Sequence, residues 1–153
     1  RCDNVIISPG QEKVVFSVTN TDRNSLEKLS QCVNNFLTKA YTTSLIAYGI
    51  NGNFIDEDGS SFAEVLDGMS DTNQILDNGY EIVTAKISRT LSKNGKKINM
   101  DSKLENARLE ISFNENHSNP KEYPTFDFEL LNGFIEECSE IVKGLGYELE
   151  GDE

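Results

Sequence analysis

The fold of this chain is decided by residues 80–113, which read YEIVTAKISRTLSKNGKKINMDSKLENARLEISF. The dipeptide Asn94-Gly95 is the strongest two-residue signal for a β-hairpin, because both residues accept the positive φ angles of a type I′ turn. With that turn, Leu91 opposes Ile98, and the apolar side chains of the two strands share one face along the arms. The sequence therefore predicts a long antiparallel hairpin.

The apolar side of this hairpin changes between its tip and its base. In the second strand, apolar residues occupy even positions near the tip, as at Met100, and odd positions near the base, as at Leu109. A base packed on the main core and a tip packed elsewhere would produce this switch. Because an isolated two-stranded arm is only marginally stable in water, something must cover the tip. We therefore expect either a tip folded over its own domain or a homodimer through the 80–113 hairpin, with an apolar interface formed by Leu91, Ile98 and Met100.

Positive charge collects on the same hairpin, although the chain as a whole carries a formal charge of −12. Between residues 86 and 108 there are seven basic residues and only two acidic ones, Asp101 and Glu105. One interpretation is that lysines protect an edge hairpin from aggregation. The other is a patch that binds an acidic partner or phosphates, formed by Lys86, Arg89, Lys93, Lys96, Lys97 and Lys103. Nucleic acid is the less favoured ligand, because the patch has no interleaved aromatic residues for base stacking.

The rest of the chain alternates strand and helix patterns. Two short strands at residues 5–7 and 13–19 precede a helix that we expect to begin at Asn24, with Glu27 completing a capping box. Its apolar stripe includes Phe36, which is expected to be buried. Three further elements are predicted: a central strand at residues 44–55, a short helix after Ser61, and a second long helix at about residues 126–143 with Ile135, Cys138 and Val142 on its stripe.

Together these elements predict an α+β fold. We expect an antiparallel sheet of about five strands with the two longer helices packed on one face, as a two-layer sandwich. The length suits one domain, here residues 1–147, followed by an acidic tail at residues 148–153 that is expected to fray.

The sequence offers little catalytic or metal-binding equipment. The single histidine, His117, is expected to lie exposed in a polar loop at residues 114–120, and one histidine with three scattered cysteines does not supply a structural zinc site. No phosphate-binding glycine loop is present, so we predict no catalytic residues, no metal and no cofactor. The odd number of cysteines predicts reduced thiols, and no transmembrane run is present, which together favour a soluble cytoplasmic protein without membrane contact.

These features favour a non-enzymatic binding or inhibitory protein that acts through protein–protein contact. Its acidity indicates a basic partner, such as a nucleic-acid-binding protein. Two alternatives stay open. One is an enzyme or enzyme subunit that uses carboxylates or an unrecognised cofactor, since the chain holds 26 acidic residues. The other is nucleic-acid contact through the basic hairpin at residues 86–108.

Overall fold

A computed structural model describes residues 5–39, 46–57, 77–80, 83–106, 108–118, 120, 124–147 and 149. These residues form two helices and six strands. The chain divides into two compact units, one made of residues 1–50 with 117–153 and the other of residues 51–116. The short helix predicted after Ser61 lies outside the described residues, as does nearly all of the acidic tail.

The first unit contains a two-stranded antiparallel sheet of β1 (Ile6–Pro9) and β2 (Val14–Ser17). Helix α1 (Arg23–Lys39) follows it. The rings of Phe16 and Phe36 lie 5.4 Å apart between their centroids, which joins β2 to α1. Phe36 nevertheless stays 42% exposed, so the prediction that it is buried is wrong. A two-stranded sheet is too narrow to cover the whole apolar stripe of a helix.

The first turn of α1 is capped by Asp22, two residues earlier than the predicted cap at Asn24. Its carboxylate accepts hydrogen bonds from the backbone N–H of Ser25 at 3.0 Å and from the Ser25 hydroxyl at 2.8 Å. These bonds lower the pKa of Asp22 because they favour its ionised form. Glu27 pairs with Arg23 at 2.8 Å, one helical turn earlier, and the expected capping box with Asn24 does not form.

Helix α2 (Phe128–Gly144) is capped by Asp127, whose side chain accepts from the backbone N–H of Leu130 at 2.8 Å. Its buried stripe is Leu131, Phe134, Cys138 and Val142. The guanidinium of Arg23 lies 4.8 Å from the centre of the Phe128 ring, a cation–π contact between the first turns of the two helices. Asn34 adds a second link, because its amide bonds both the backbone N–H and the carbonyl of Phe126.

The remaining strands form a four-stranded sheet in the order β3-β6-β5-β4. Its members are β3 (Ala47–Asp56), β4 (Thr84–Lys93), β5 (Lys96–Glu105) and β6 (Arg108–Ser118). Strands β4 and β5 pair in the register that the Asn94-Gly95 turn predicts, with Leu91 opposite Ile98, so this prediction is confirmed. Both turn residues have positive φ, 52° at Asn94 and 81° at Gly95.

The predicted change of face along the hairpin is wrong. The chain turns a second time at Asn106, which has a φ of 51°, and residues 108–118 form the separate strand β6. Leu109 therefore pairs with Leu104 of β5 and not with a residue of β4. Because the second turn also reverses the chain, every apolar residue of β4, β5 and β6 stays on one face of the sheet.

The α+β class is therefore confirmed, and the single sheet of about five strands becomes two sheets of two and four strands. Within the second unit, the apolar face of the larger sheet carries the most deeply buried side chains, which include Ile98, Met100, Leu104, Leu109, Ile111 and Phe113. Phe54 of β3 meets the Phe113 ring edge-on at 5.7 Å on the same face. The opposite face of this sheet is polar, as is usual for an antiparallel sheet with one solvated side.

Candidate protein-binding site

Strand alternation divides the six predicted partner-binding residues between the two faces of the sheet. Lys86, Lys97 and Lys103 lie on the polar face, because they share the parity of the exposed residues of β4 and β5. Arg89, Lys93 and Lys96 lie on the apolar side, where Arg89 pairs with Met100. Successive side chains of a strand point to opposite faces, so a basic segment in sequence does not become one basic surface.

Ion pairs within the second unit engage several of these basic residues. On the polar face, Lys86 contacts Asp101 at 2.9 Å and Lys103 contacts Glu105. Hydrogen bonds from Ser88 and Lys86 lower the pKa of Asp101, and Lys103 lowers the pKa of Glu105. These exposed pairs contribute little to stability, but they reduce the positive charge that the sheet presents to a partner.

Two more ion pairs lie at opposite ends of the sheet. On the apolar side, Lys96 contacts Glu115 at 2.8 Å, and the Glu115 side chain is only 11% exposed. Arg108, just after the second turn, contacts Glu57 at 3.4 Å. At least four of the seven basic residues between positions 86 and 108 therefore have an acidic partner inside the chain. Within the described ranges, Lys93 and Lys97 beside the first turn form no ion pair.

The predicted apolar interface lies mostly inside one chain. Ile98 is 4% exposed and Met100 is 1% exposed, while Leu91 is half-buried. Strand β6, which sequence reasoning placed in the hairpin arm, pairs beside β5 and puts Phe113 opposite Met100. A second subunit is therefore not needed to keep Ile98 and Met100 from water.

A shallow polar depression of about 340 Å³ lies beside the second turn, lined by Glu57, Lys103, Glu105, Asn106, Arg108 and Glu110. Two of its three carboxylates already contact a cation, and the lowered pKa of Glu105 keeps that group ionised at neutral pH. A general acid must hold a proton near the working pH, which Glu105 does not. Among the described residues, no cluster of His, Cys, Asp and Glu side chains could hold a metal ion.

His117 does not lie in a loop as expected. It belongs to β6, and its ring stacks on Tyr48 at a centroid distance of 4.5 Å with an interplanar angle of 10°. The Tyr48 ring also meets Phe126 edge-on at 5.5 Å. The sequence pattern of polar neighbours misled the prediction, since alternation along a strand places His117 on the face opposite to Asn116 and Ser118.

The outer face of α2 carries a stripe of carboxylates that sequence reasoning did not single out. Glu129, Glu136 and Glu140 are all exposed, and their spacing of seven and four residues places them above one another on one face. This acidic stripe lies opposite the buried residues of the helix. Glu129 lies near Arg23, whose pKa is raised chiefly by Glu27 and less by Glu129. Glu136 accepts a hydrogen bond from Asn132 at 2.7 Å. Applying the helical spacing to the charged residues as well as to the apolar ones would have revealed the stripe.

Neither described helix is long and apolar enough to cross a membrane. Comparison with known proteins adds no relative to this description: no family model, no curated protein and no solved structure matches the chain.

Proposed function

We propose that this chain is a non-enzymatic binding protein that recognises a basic partner protein through the acidic stripe of α2, Glu129, Glu136 and Glu140. One observation carries the proposal. These exposed carboxylates lie on one face of α2, whereas four basic residues of the sheet are engaged by acidic neighbours of the same chain. The charge that the molecule offers to a partner is therefore mainly negative.

The distribution of charge in the chain supports this choice. Residues 1–50 and 117–153 contain fourteen acidic and seven basic residues, which gives this unit a net charge of −7. Residues 51–116 contain twelve acidic and seven basic residues, a net charge of −5. A field of one sign accelerates the approach of an oppositely charged protein, and screening confines it to about 8 Å at physiological salt. Carboxylates one or two helical turns apart can then each accept an arginine or lysine of the partner.

A nucleic-acid-binding protein is one class of partner with the required charge, and inhibition of it would follow from occupying its basic surface. Direct nucleic-acid binding by this chain is less favoured. Lys93 and Lys97 at the hairpin tip are few beside the six to ten phosphate contacts of a typical DNA-binding site. Catalysis is also less favoured, because the polar depression offers ion-paired carboxylates and no apolar pocket around them.

The experiment compares three forms of the protein as bait for partners from the cells in which it is made. The double variant Glu136→Gln, Glu140→Gln removes two charges from the acidic stripe. A control, Glu12→Gln with Asp77→Asn, removes two exposed charges elsewhere. We expect one basic protein to be retained by the wild type and by the control, and to bind the stripe variant about tenfold more weakly in titration. If the retained proteins are not basic, or if both variants bind equally well, the proposal is wrong.

Self-association through the 80–113 hairpin stays a prediction. Its main argument is weaker than the sequence indicated, because Ile98 and Met100 are buried within one chain. Light scattering at moderate salt measures the mass directly. A dimer that persists in Leu91→Asp would exclude this surface, since Leu91 is the member of the proposed interface that stays half-exposed.

A further inference from the structure

The oxidation state of Cys32 differs from the sequence prediction. Cys32 lies on α1, is 7% exposed and takes part in a disulfide bond. Cys138 lies on α2, is fully buried and keeps its thiol. The odd number of cysteines in the chain concealed this bond from sequence reasoning.

We propose that this protein folds in an oxidising compartment and that the bond at Cys32 is structural. Disulfides persist in such compartments, whereas glutathione and thioredoxin keep cysteines reduced in the cytosol. The expected cytoplasmic location is thus replaced by an extracytoplasmic one. This inference does not depend on the binding partner proposed above.

The chemistry requires an external disulfide as oxidant, either a protein or a small-molecule disulfide. One thiolate of the pair attacks that disulfide and forms a mixed disulfide, and the second thiolate then displaces the oxidant. The two cysteines lose two protons and two electrons together, and the oxidant leaves as a dithiol or as two thiols. The burial of Cys32 protects the product from exchange with solvent thiols, because exchange depends on access to the sulfur.

The state of Cys138 agrees with the same environment. In an oxidising compartment an accessible thiol would pair with other chains, and the Cys138 side chain has no exposed surface through which to do so. The two buried cysteines therefore differ in oxidation state: Cys32 is in a disulfide and Cys138 is an enclosed thiol.

The first test measures the cysteines of the protein as it exists in its own cells. The sample is quenched with acid, denatured, and labelled with a maleimide before and after reduction, and the labelled peptides are identified by mass spectrometry. We expect Cys138 to be labelled at once, and Cys32 to be labelled only after reduction, with a disulfide-linked peptide that contains Cys32 in the unreduced sample. If Cys32 is labelled without reduction, the proposal is overturned.

The second test asks whether the bond is structural. Reduction should lower the melting temperature of the wild type by about 10 °C, because loss of a native disulfide typically costs about 2–5 kcal/mol. The variant Cys32→Ser should melt at the lower temperature with or without reductant. The matched control Cys138→Ser should keep the full response to reductant. An unchanged wild-type melting temperature after complete reduction would show that the bond has no structural role.

Discussion

Ser102 provides the sharpest prediction, because its side chain is buried on the apolar face of the sheet without a hydrogen-bond partner. The residue has no exposed surface and its Oγ makes no hydrogen bond. Its neighbours across the two ladders are Ile87 of β4 and Ile111 of β6, which offer no polar side-chain atom. Burying a hydroxyl without a partner costs about 1–3 kcal/mol in proteins. Replacing the hydroxymethyl side chain with a methyl group, as in Ser102→Ala, removes that cost.

The variant Ser102→Ala should therefore be more stable than the wild type. The lost oxygen leaves a gap of about 10 Å³, which costs only about 0.3 kcal/mol at about 24 cal/mol per Å³. We expect a net gain of about 1 kcal/mol in the free energy of unfolding, or about 2–4 °C in melting temperature. Urea denaturation measures the gain as a higher midpoint at an unchanged slope.

Ser112→Ala is the matched control, since Ser112 lies on the polar face of the neighbouring strand, opposite Asp101. Its hydroxyl is half-buried and contacts Glu110 at 3.3 Å, so its loss should change stability by no more than about 0.5 kcal/mol. If Ser102→Ala destabilises the protein by 1 kcal/mol or more, on the order of an ordinary lost hydrogen bond, the hydroxyl has a partner and the argument fails.

Three further tests concern the ion pair, the helix cap and the turn. Lys96→Met removes the cation that contacts the enclosed Glu115 carboxylate at 2.8 Å and should cost about 2 kcal/mol in urea denaturation, well above the cost of an exposed pair. Hydrogen bonds lower the pKa of Asp22 in the folded state, so its ionised carboxylate stabilises the wild type relative to Asp22→Asn. This difference in stability should be fully present above the ordinary aspartate pKa and should vanish as the pH falls through the lowered value. Melting curves of both proteins from pH 7 to about 2 measure it. Gly95→Ala should destabilise the protein by about 1–2 kcal/mol, because Gly95 has a φ of 81°. Its control, Gly133→Ala in α2, has open space around it and should stabilise the protein by up to about 1 kcal/mol. Equal effects of the two substitutions would contradict the reasoning.

The sequence predicted the parts of the fold that local chemistry determines. Asn94-Gly95 fixes the register of β4 and β5, because few other dipeptides adopt that turn. Cys138 and Val142 are buried as the apolar stripe of the second long helix indicated, whereas Ile135 on the same stripe is only partly buried. The second turn was missed because its signal is a single Asn106 in the left-handed region, in a stretch without glycine or proline. Without that turn, the change of parity before Leu109 could only be read as a change of face.

The predictions for Phe36 and His117 failed for a different reason. Both predictions were made from the neighbours of each residue in sequence, and both failed because the answer depends on which element packs beside it. Phe36 faces a sheet of only two strands and stays partly exposed. His117 continues a strand whose alternation places its ring against Tyr48. Membership of a strand and burial both depend on pairing and packing partners that the sequence neighbours of a residue do not reveal.

For the binding surface, too, the number of charges in a sequence segment differs from the charge that the folded surface presents. By charge count, residues 86–108 are the most distinctive basic segment of the chain. In the folded sheet, however, alternate basic residues lie on opposite faces. Acidic residues of β5 and β6 also lie within contact distance of two of the lysines. The carboxylates of α2 are scattered in the sequence, but the helical repeat gathers them on one face. The charge available to a partner is what remains after the fold has paired its own groups. That remainder is acidic at α2, which is why the partner proposed above is a basic protein and why the hairpin is the weaker candidate for binding an acidic one.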